Sequence, residues 1–222
     1  MAIVWPCGLS VDAYVAAGRD VEVPRPECSL CTSPMQFWSW YRRDVRVAGM
    51  SVKVLIRRAR CVGCRVTSAL LPSFVIARRL DAAESIGAVI SEVVSGRSGV
   101  RPAAAAGGVV HETAREWIRR FRARAEDLSV AFAALVVELG GEASDRVERA
   151  DRDALSAMKA AFGRAGELRG WAPVGLWGFA SSVTGGSVLS PNRDSPYLVV
   201  GRRRFMAPVA PTTDKNGDGH GP

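Results

Sequence analysis

The sequence predicts an α+β fold, mainly α: a small zinc-ribbon β-hairpin followed by a helix-turn-helix and further helices. Two observations lead there. Cys28-Ser29-Leu30-Cys31 and Cys61-Val62-Gly63-Cys64 are CxxC pairs at either end of a stretch that alternates like a hairpin. Beyond Pro72 the apolar residues recur at helical spacing, and Gly99 to Arg124 fits the spacing of two helices joined by a tight turn.

A CxxC places two thiolates on one turn, close enough to grip the same ion. A second pair completes a tetrahedral all-sulfur site, which suits structural Zn2+ and leaves no coordination position open for chemistry. Cys28, Cys31, Cys61 and Cys64 are therefore the metal ligands. Redox CxxC motifs usually come singly at the start of a helix, and nothing resembling a secretory signal precedes these. Of the five cysteines, Cys7 is left over and reads as a small, partly buried apolar residue.

The elements follow in order. Residues 1–26 form a lead, in which Ser10 caps a helix running through Ala17 and stopped by Gly18. Val21 to Pro26 reads as extended. Residues 27–72 are the ribbon: Phe37-Trp38-Ser39-Trp40-Tyr41, Val45 and Val47 make one strand, Ala48-Gly49 the turn, and Val52, Val54 and Ile56 the return. Arg42, Arg43, Arg46, Lys53, Arg57, Arg58, Arg60 and Arg65 crowd this hairpin, with Asp44 the only acid among them.

Residues 80–126 hold the helix-turn-helix. Asp81 is expected to cap a helix with the stripe Ile86, Val89, Ile90 and Val93, ended by Ser95-Gly96. In the following pair, Ala104 lets two helices approach and Gly108 takes the left-handed backbone of the turn; Val109, Thr113 and Trp117 complete the spacing. Ala114, Trp117, Ile118 and Phe121 form the buried face. Residues 127–200 read as a helical C-terminal region, with an apolar helix over Leu128–Leu139, a helix over Ser144–Phe162, and a short helix from Pro173 toward Ser182. Residues 206–222 read as a disordered tail.

The charge balance, 30 Lys+Arg against 22 Asp+Glu with pI ≈ 9.8, favours a polyanionic partner. Most of the excess is arginine, which a GC-rich genome produces without functional cause, so clustering weighs more than the sum. The N-terminal half of the second helix in such a motif enters the major groove. His111, Glu112, Arg115 and Glu116 are the candidates for base edges, with Arg115 able to read guanine bidentately. Arg119, Arg120, Arg122 and Arg124 face phosphates, joined by Arg97 and Arg101 from the flanking turn and by Arg42, Arg43, Arg57 and Arg58 on the hairpin.

The order CxxC, basic hairpin, CxxC, helix-turn-helix resembles the N-terminal DNA-binding region of insertion-sequence transposases. More closely, Met1 to about Tyr197 resembles an uncharacterised (domain of unknown function) bacterial family with the same modules, at Cys28, Cys31, Cys61, Cys64, Gly108, Thr113 and Trp117. The resemblance implies double-stranded DNA as partner. Such transposases continue into a ribonuclease-H-like domain with three metal-binding carboxylates. Here Glu138, Glu142, Asp145, Glu148, Asp151 and Asp153 lie on helices, and no glycine-rich phosphate loop, Ser/His/Asp set or HExxH occurs.

The expected protein is thus not an enzyme and takes no small-molecule substrate. It binds DNA as a transposition accessory factor or transcription regulator. The alternative is an adaptor docking on a second copy or on a transposase/integrase partner. No stretch approaches the roughly 20 apolar residues of a membrane span, and the expected location is cytoplasmic, at the nucleoid.

Overall fold

The computed structural model describes residues 2–142, 149–169 and 171–189. The tail predicted at 206–222, the first residues of the helix predicted from Ser144, and Tyr197 lie outside them. Within the described residues the fold is α+β, with seven α-helices and one four-stranded sheet.

The hairpin dominates the sheet. Strand β2 (Met35–Val47) and strand β3 (Met50–Cys61) pair antiparallel around Ala48-Gly49, with the turn where the sequence predicts it. Strand β4 (Thr67–Pro72) adds to β3, and strand β1 (Ala2–Trp5) pairs parallel with β4, giving the order β1-β4-β3-β2. Neither β1 nor β4 is predicted from sequence. Strand β1 is a short apolar run whose partner lies far along the chain, and β4, though it returns along β3 just past the second CxxC, is too short to show alternation.

Helix α1 (Val11–Ala17) begins at Ser10, whose hydroxyl accepts from the Ala13 amide at 3.2 Å, and ends at Gly18. Its Tyr14 is fully buried, donates to the Leu55 carbonyl at 2.7 Å and meets Phe74 edge-on. Ile3, Tyr14, Val54, Ile56, Leu70 and Leu71 form the core of this half. Cys7 lies in it, held by hydrogen bonds between its backbone and the Ser73 hydroxyl.

The second core is helical. Helices α2 (Ala83–Val94), α3 (Val100–Ala106), α4 (His111–Ala123), α5 (Ala125–Glu138), α6 (Ala150–Arg169) and α7 (Leu176–Val183) enclose it. Of the predicted stripe, Ile86, Val89 and Ile90 are buried and Val93 is half-buried, with Val94 buried beside it; Ala114, Trp117, Ile118 and Phe121 on α4 are buried as predicted. Trp171, Trp177 and Phe179, to which the sequence assigns no role, are core residues. Trp177 fills the slot left by Gly87, where a Cβ would lie 2.0 Å from its ring.

Two local expectations are corrected. Asp81 does not cap α2. Ala82 occupies that position without a side-chain bond, while the Asp81 carboxylate pairs with Arg46 at 2.8 Å. The backbone explains this: Arg46 bonds through its amide to Leu80 and through its carbonyl to Ala82, which holds residues 80–82 against the hairpin. Helix α6 also runs past Phe162, through Gly163 and Gly166 to Arg169. Its packing along α5 outweighs the weak helix propensity of two glycines, about 1 kcal/mol each. Among the described residues no helix is long and apolar enough to cross a membrane.

Candidate functional site: a four-cysteine centre and a basic face

The two CxxC turns are built alike. The Cys28 amide donates to the Ser33 carbonyl at 2.8 Å, and the Cys61 amide to the Val66 carbonyl at 2.9 Å. In each, the residue after the second cysteine, Thr32 or Arg65, takes a positive φ (59° and 64°). The β2–β3 pairing sets Met35 beside Cys61, which brings the turns face to face.

All four Sγ atoms lie within 4.8 Å of one another. Cys28 and Cys64 sulfurs are 3.5 Å apart and Cys31 and Cys61 sulfurs 3.4 Å. Four sulfurs at about 2.3 Å from one tetrahedral zinc stand roughly 3.8 Å apart, so the set fits Zn2+ in size and donor chemistry. The Leu30 amide points at the Cys28 sulfur from 3.5 Å, a contact that favours thiolate. The Ser33 hydroxyl and amide bring the Cys31 thiol down to about 6. Cys64 is pushed up to about 12: the Val66 amide pulls the other way, but the neighbouring sulfurs and burial outweigh it. Four thiolates repel one another, and a divalent cation relieves that repulsion.

The helix pair meets the hairpin at its tip. Gly107 and Gly108 make the α3–α4 turn, with Gly108 at φ 63°, and the turn sits on Ala48-Gly49. Val110 precedes α4 and contributes no side-chain cap. On the outer face of α4, His111 is half-buried with its Nδ1 3.7 Å from Glu112, while Glu112 and Arg115 are exposed. A concavity beside them is lined by Val100, Glu112, Arg115, Glu116, Ile118 and Arg119.

The other candidates divide. Glu116 is bound by both Arg119 and Arg120, and the Arg119 pairing above all holds its carboxyl down at about 2. Arg122 pairs with the buried Asp151 at 2.9 Å, alongside Arg149. Arg97 pairs with Glu92. Arg43 is spent inside the protein, donating to the Ile76 and Arg79 carbonyls at 3.2 and 2.7 Å. Arg124, expected at a phosphate, is buried and donates to the Ser187 carbonyl at 3.0 Å. Arg42, Arg58, Arg101 and Arg115 are exposed, and no ion pair engages them among the described residues.

Arg57 is placed differently again. Its guanidinium stacks 4.4 Å from the Phe37 ring and 4.6 Å from Trp40, with Arg25 5.1 Å from Phe37 on the same ring. Arg60 lies 5.0 Å from Trp38. Sequence reasoning singled out neither Arg25 nor Trp38. Arg25 sits outside the hairpin, and a bulge between Phe37 and Ser39 re-aims Trp38.

Comparison with curated proteins and with solved structures gives no match. Residues 28–117, from the first metal-site cysteine to the core tryptophan of α4, match the family model described as a domain of unknown function (DUF6431).

Proposed function

We propose that this chain is a sequence-specific double-stranded-DNA-binding protein, built from a zinc ribbon and a helix-turn-helix, that serves as a transposition accessory factor or transcription regulator. The observation carrying the reading is the α4 surface. Its buried side is apolar, and its first two turns present His111, Glu112 and Arg115 outward beside a Gly108 turn. That is the placement a recognition helix needs to bring side chains to base edges.

In this reading Zn2+ on Cys28, Cys31, Cys61 and Cys64 is structural and closes the far end of the hairpin. Arg115 reads a base, while Arg101, Arg42 and Arg58 meet phosphates. Glu116, first counted among base readers, instead restrains Arg119 and Arg120. No catalytic step is assigned. Selection of bound duplexes from a random pool tests the reading; recovery of a recurring sequence supports it, and a pool that stays random argues against it.

A second reading, an adaptor docking on another copy or on a larger DNA-processing enzyme, is favoured by α5. That helix buries Leu128, Phe132 and Leu135 but leaves Val130 and Val137 51% and 57% exposed, two turns apart.

A further inference from the structure

The sheet carries a second basic surface, of which the duplex reading uses only Arg58. Residues paired across neighbouring strands share a face. One rung runs across all four strands as Ala2, Ala69, Arg58 and Ser39. The next, across three strands, is Thr67, Arg60 and Gln36. Ala59 and Ser68 between the two rungs, and Ile3 and Leu70 beyond the first, point the other way and are buried. The two rungs are exposed or half-buried, contain no acid, and carry small side chains toward β1.

Trp38 is the extra residue in the β2 bulge, unpaired in the ladder, and it is 60% exposed. Of the other five tryptophans, Trp5, Trp117, Trp171 and Trp177 are at most 3% exposed and Trp40 is half-buried against Arg57, so leaving this ring in water is not a habit of the chain. Its neighbour Arg60 lies 5.0 Å from the ring centroid. A floor of small side chains, the exposed Arg58, Arg60 with its Nε on the Arg65 carbonyl at 3.3 Å, and an indole that Arg60 flanks but leaves 60% exposed suit an unpaired base on a phosphate backbone. A duplex hides its base faces in its own stack and has nothing to offer the indole.

We propose that this face, centred on Trp38, Arg58 and Arg60, binds single-stranded nucleic acid by stacking an unpaired base on Trp38 while the arginines hold the flanking phosphates. It shares only Arg58 with the duplex reading and uses none of the α4 residues, so Trp38 and Arg60 separate the two. A strand opened next to a duplex bound on α4 would be its substrate.

The test is titration of the full-length, zinc-loaded protein with an oligothymidylate of about 12 nucleotides, within the range one such platform covers. The wild type is expected to lose tryptophan fluorescence on binding, and inorganic polyphosphate to bind without that loss. Trp38→Ala should weaken binding of a labelled oligomer about tenfold or more, and Trp38→Phe, which keeps a ring, should restore most of it. Equal affinity of wild type and Trp38→Ala would overturn the proposal and leave only charge attraction. So would light scattering that shows Trp38→Ala splitting a dimer with the oligomer affinity unchanged, since the face would then join two copies.

Discussion

Gly49 and Gly108 touch backbone to backbone. A Cβ on Gly49 would lie 2.7 Å from the Gly108 carbonyl oxygen, and one on Gly108 would lie 2.7 Å from that of Ala48. Both have positive φ, 83° and 63°, so each position needs glycine twice over, for conformation and for space. This contact fixes the hairpin, and with it the cysteine centre, against the turn that leads into α4.

Substitution there should be costly. Gly108→Ala is expected to lower unfolding stability by about 1–3 kcal/mol in urea titration, from left-handed strain plus the clash. Gly163→Ala makes the contrast: nothing lies within 4 Å of its missing Cβ and it sits in the exposed interior of α6. That variant should gain about 0.5–1 kcal/mol. Equal effects at the two positions would show that the tip contact is not formed.

The cysteine centre should hold one zinc per chain, measured by elemental analysis of protein purified without added metal. Cys61→Ser should release it and loosen the hairpin, seen as lost near-ultraviolet dichroism. The ligands bind as thiolates, so protons compete with the metal. Affinity should fall progressively as pH is lowered, since each thiol that holds a proton must lose it to bind, and the fall should steepen below about 6, where Cys31 is protonated as well. Affinity that does not change with pH would mean that these sulfurs are not the ligands.

Glu84 supplies a second pH dependence. It stands in the first turn of α2, exposed overall, and its carboxylate reaches the start of α7, where it accepts from the Trp177 and Gly178 amides at 3.0 and 3.2 Å. Loss of water around that carboxyl, packed against α7, raises its pKa, and the two amides only partly offset this. The folded carboxyl thus keeps its proton to higher pH than the unfolded one, so its contribution is full below the unfolded value of 4.5 and is lost as pH rises through the folded value. Relative to wild type, Glu84→Gln should show a flatter fall in stability above pH 4.5. Identical slopes would place Glu84 in water.

Glu116 restrains two cations, which gives a gain-of-binding test. Glu116→Gln frees Arg119 and Arg120, so duplex affinity at low salt should rise. The log–log salt slope should steepen by about 0.9 for each added phosphate contact. The effect should vanish at high salt. An unchanged slope would turn this face of α4 away from DNA.

Much of this arrangement can be read from the chain, and the exceptions have physical causes. Ser10 and Gly18 bound α1 because caps act within a few residues. Ala48-Gly49 turns the hairpin for the same local reason. Strand β1 escapes because a parallel pair such as Ala2 with Ala69 leaves no mark on either segment alone, and β4 because its six residues are too few to show alternation. Trp171, Trp177 and Phe179 have no helical spacing, and only the slot at Gly87 and the neighbouring rings reveal them as core. At the candidate site, residue type alone did not tell a bound arginine from a free one. Arg43, Arg122 and Arg124 look like Arg115 in sequence, but carbonyls and the buried Asp151 engage them.

The most direct measurement compares wild type with Arg115→Ala on a duplex recovered from a random pool and on variants of it changed one base pair at a time. The account predicts that wild type binds the recovered site and that Arg115→Ala loses about 1–3 kcal/mol of discrimination at one position only. Absence of duplex binding at low salt, or an Arg115→Ala protein that discriminates as wild type does, would contradict it.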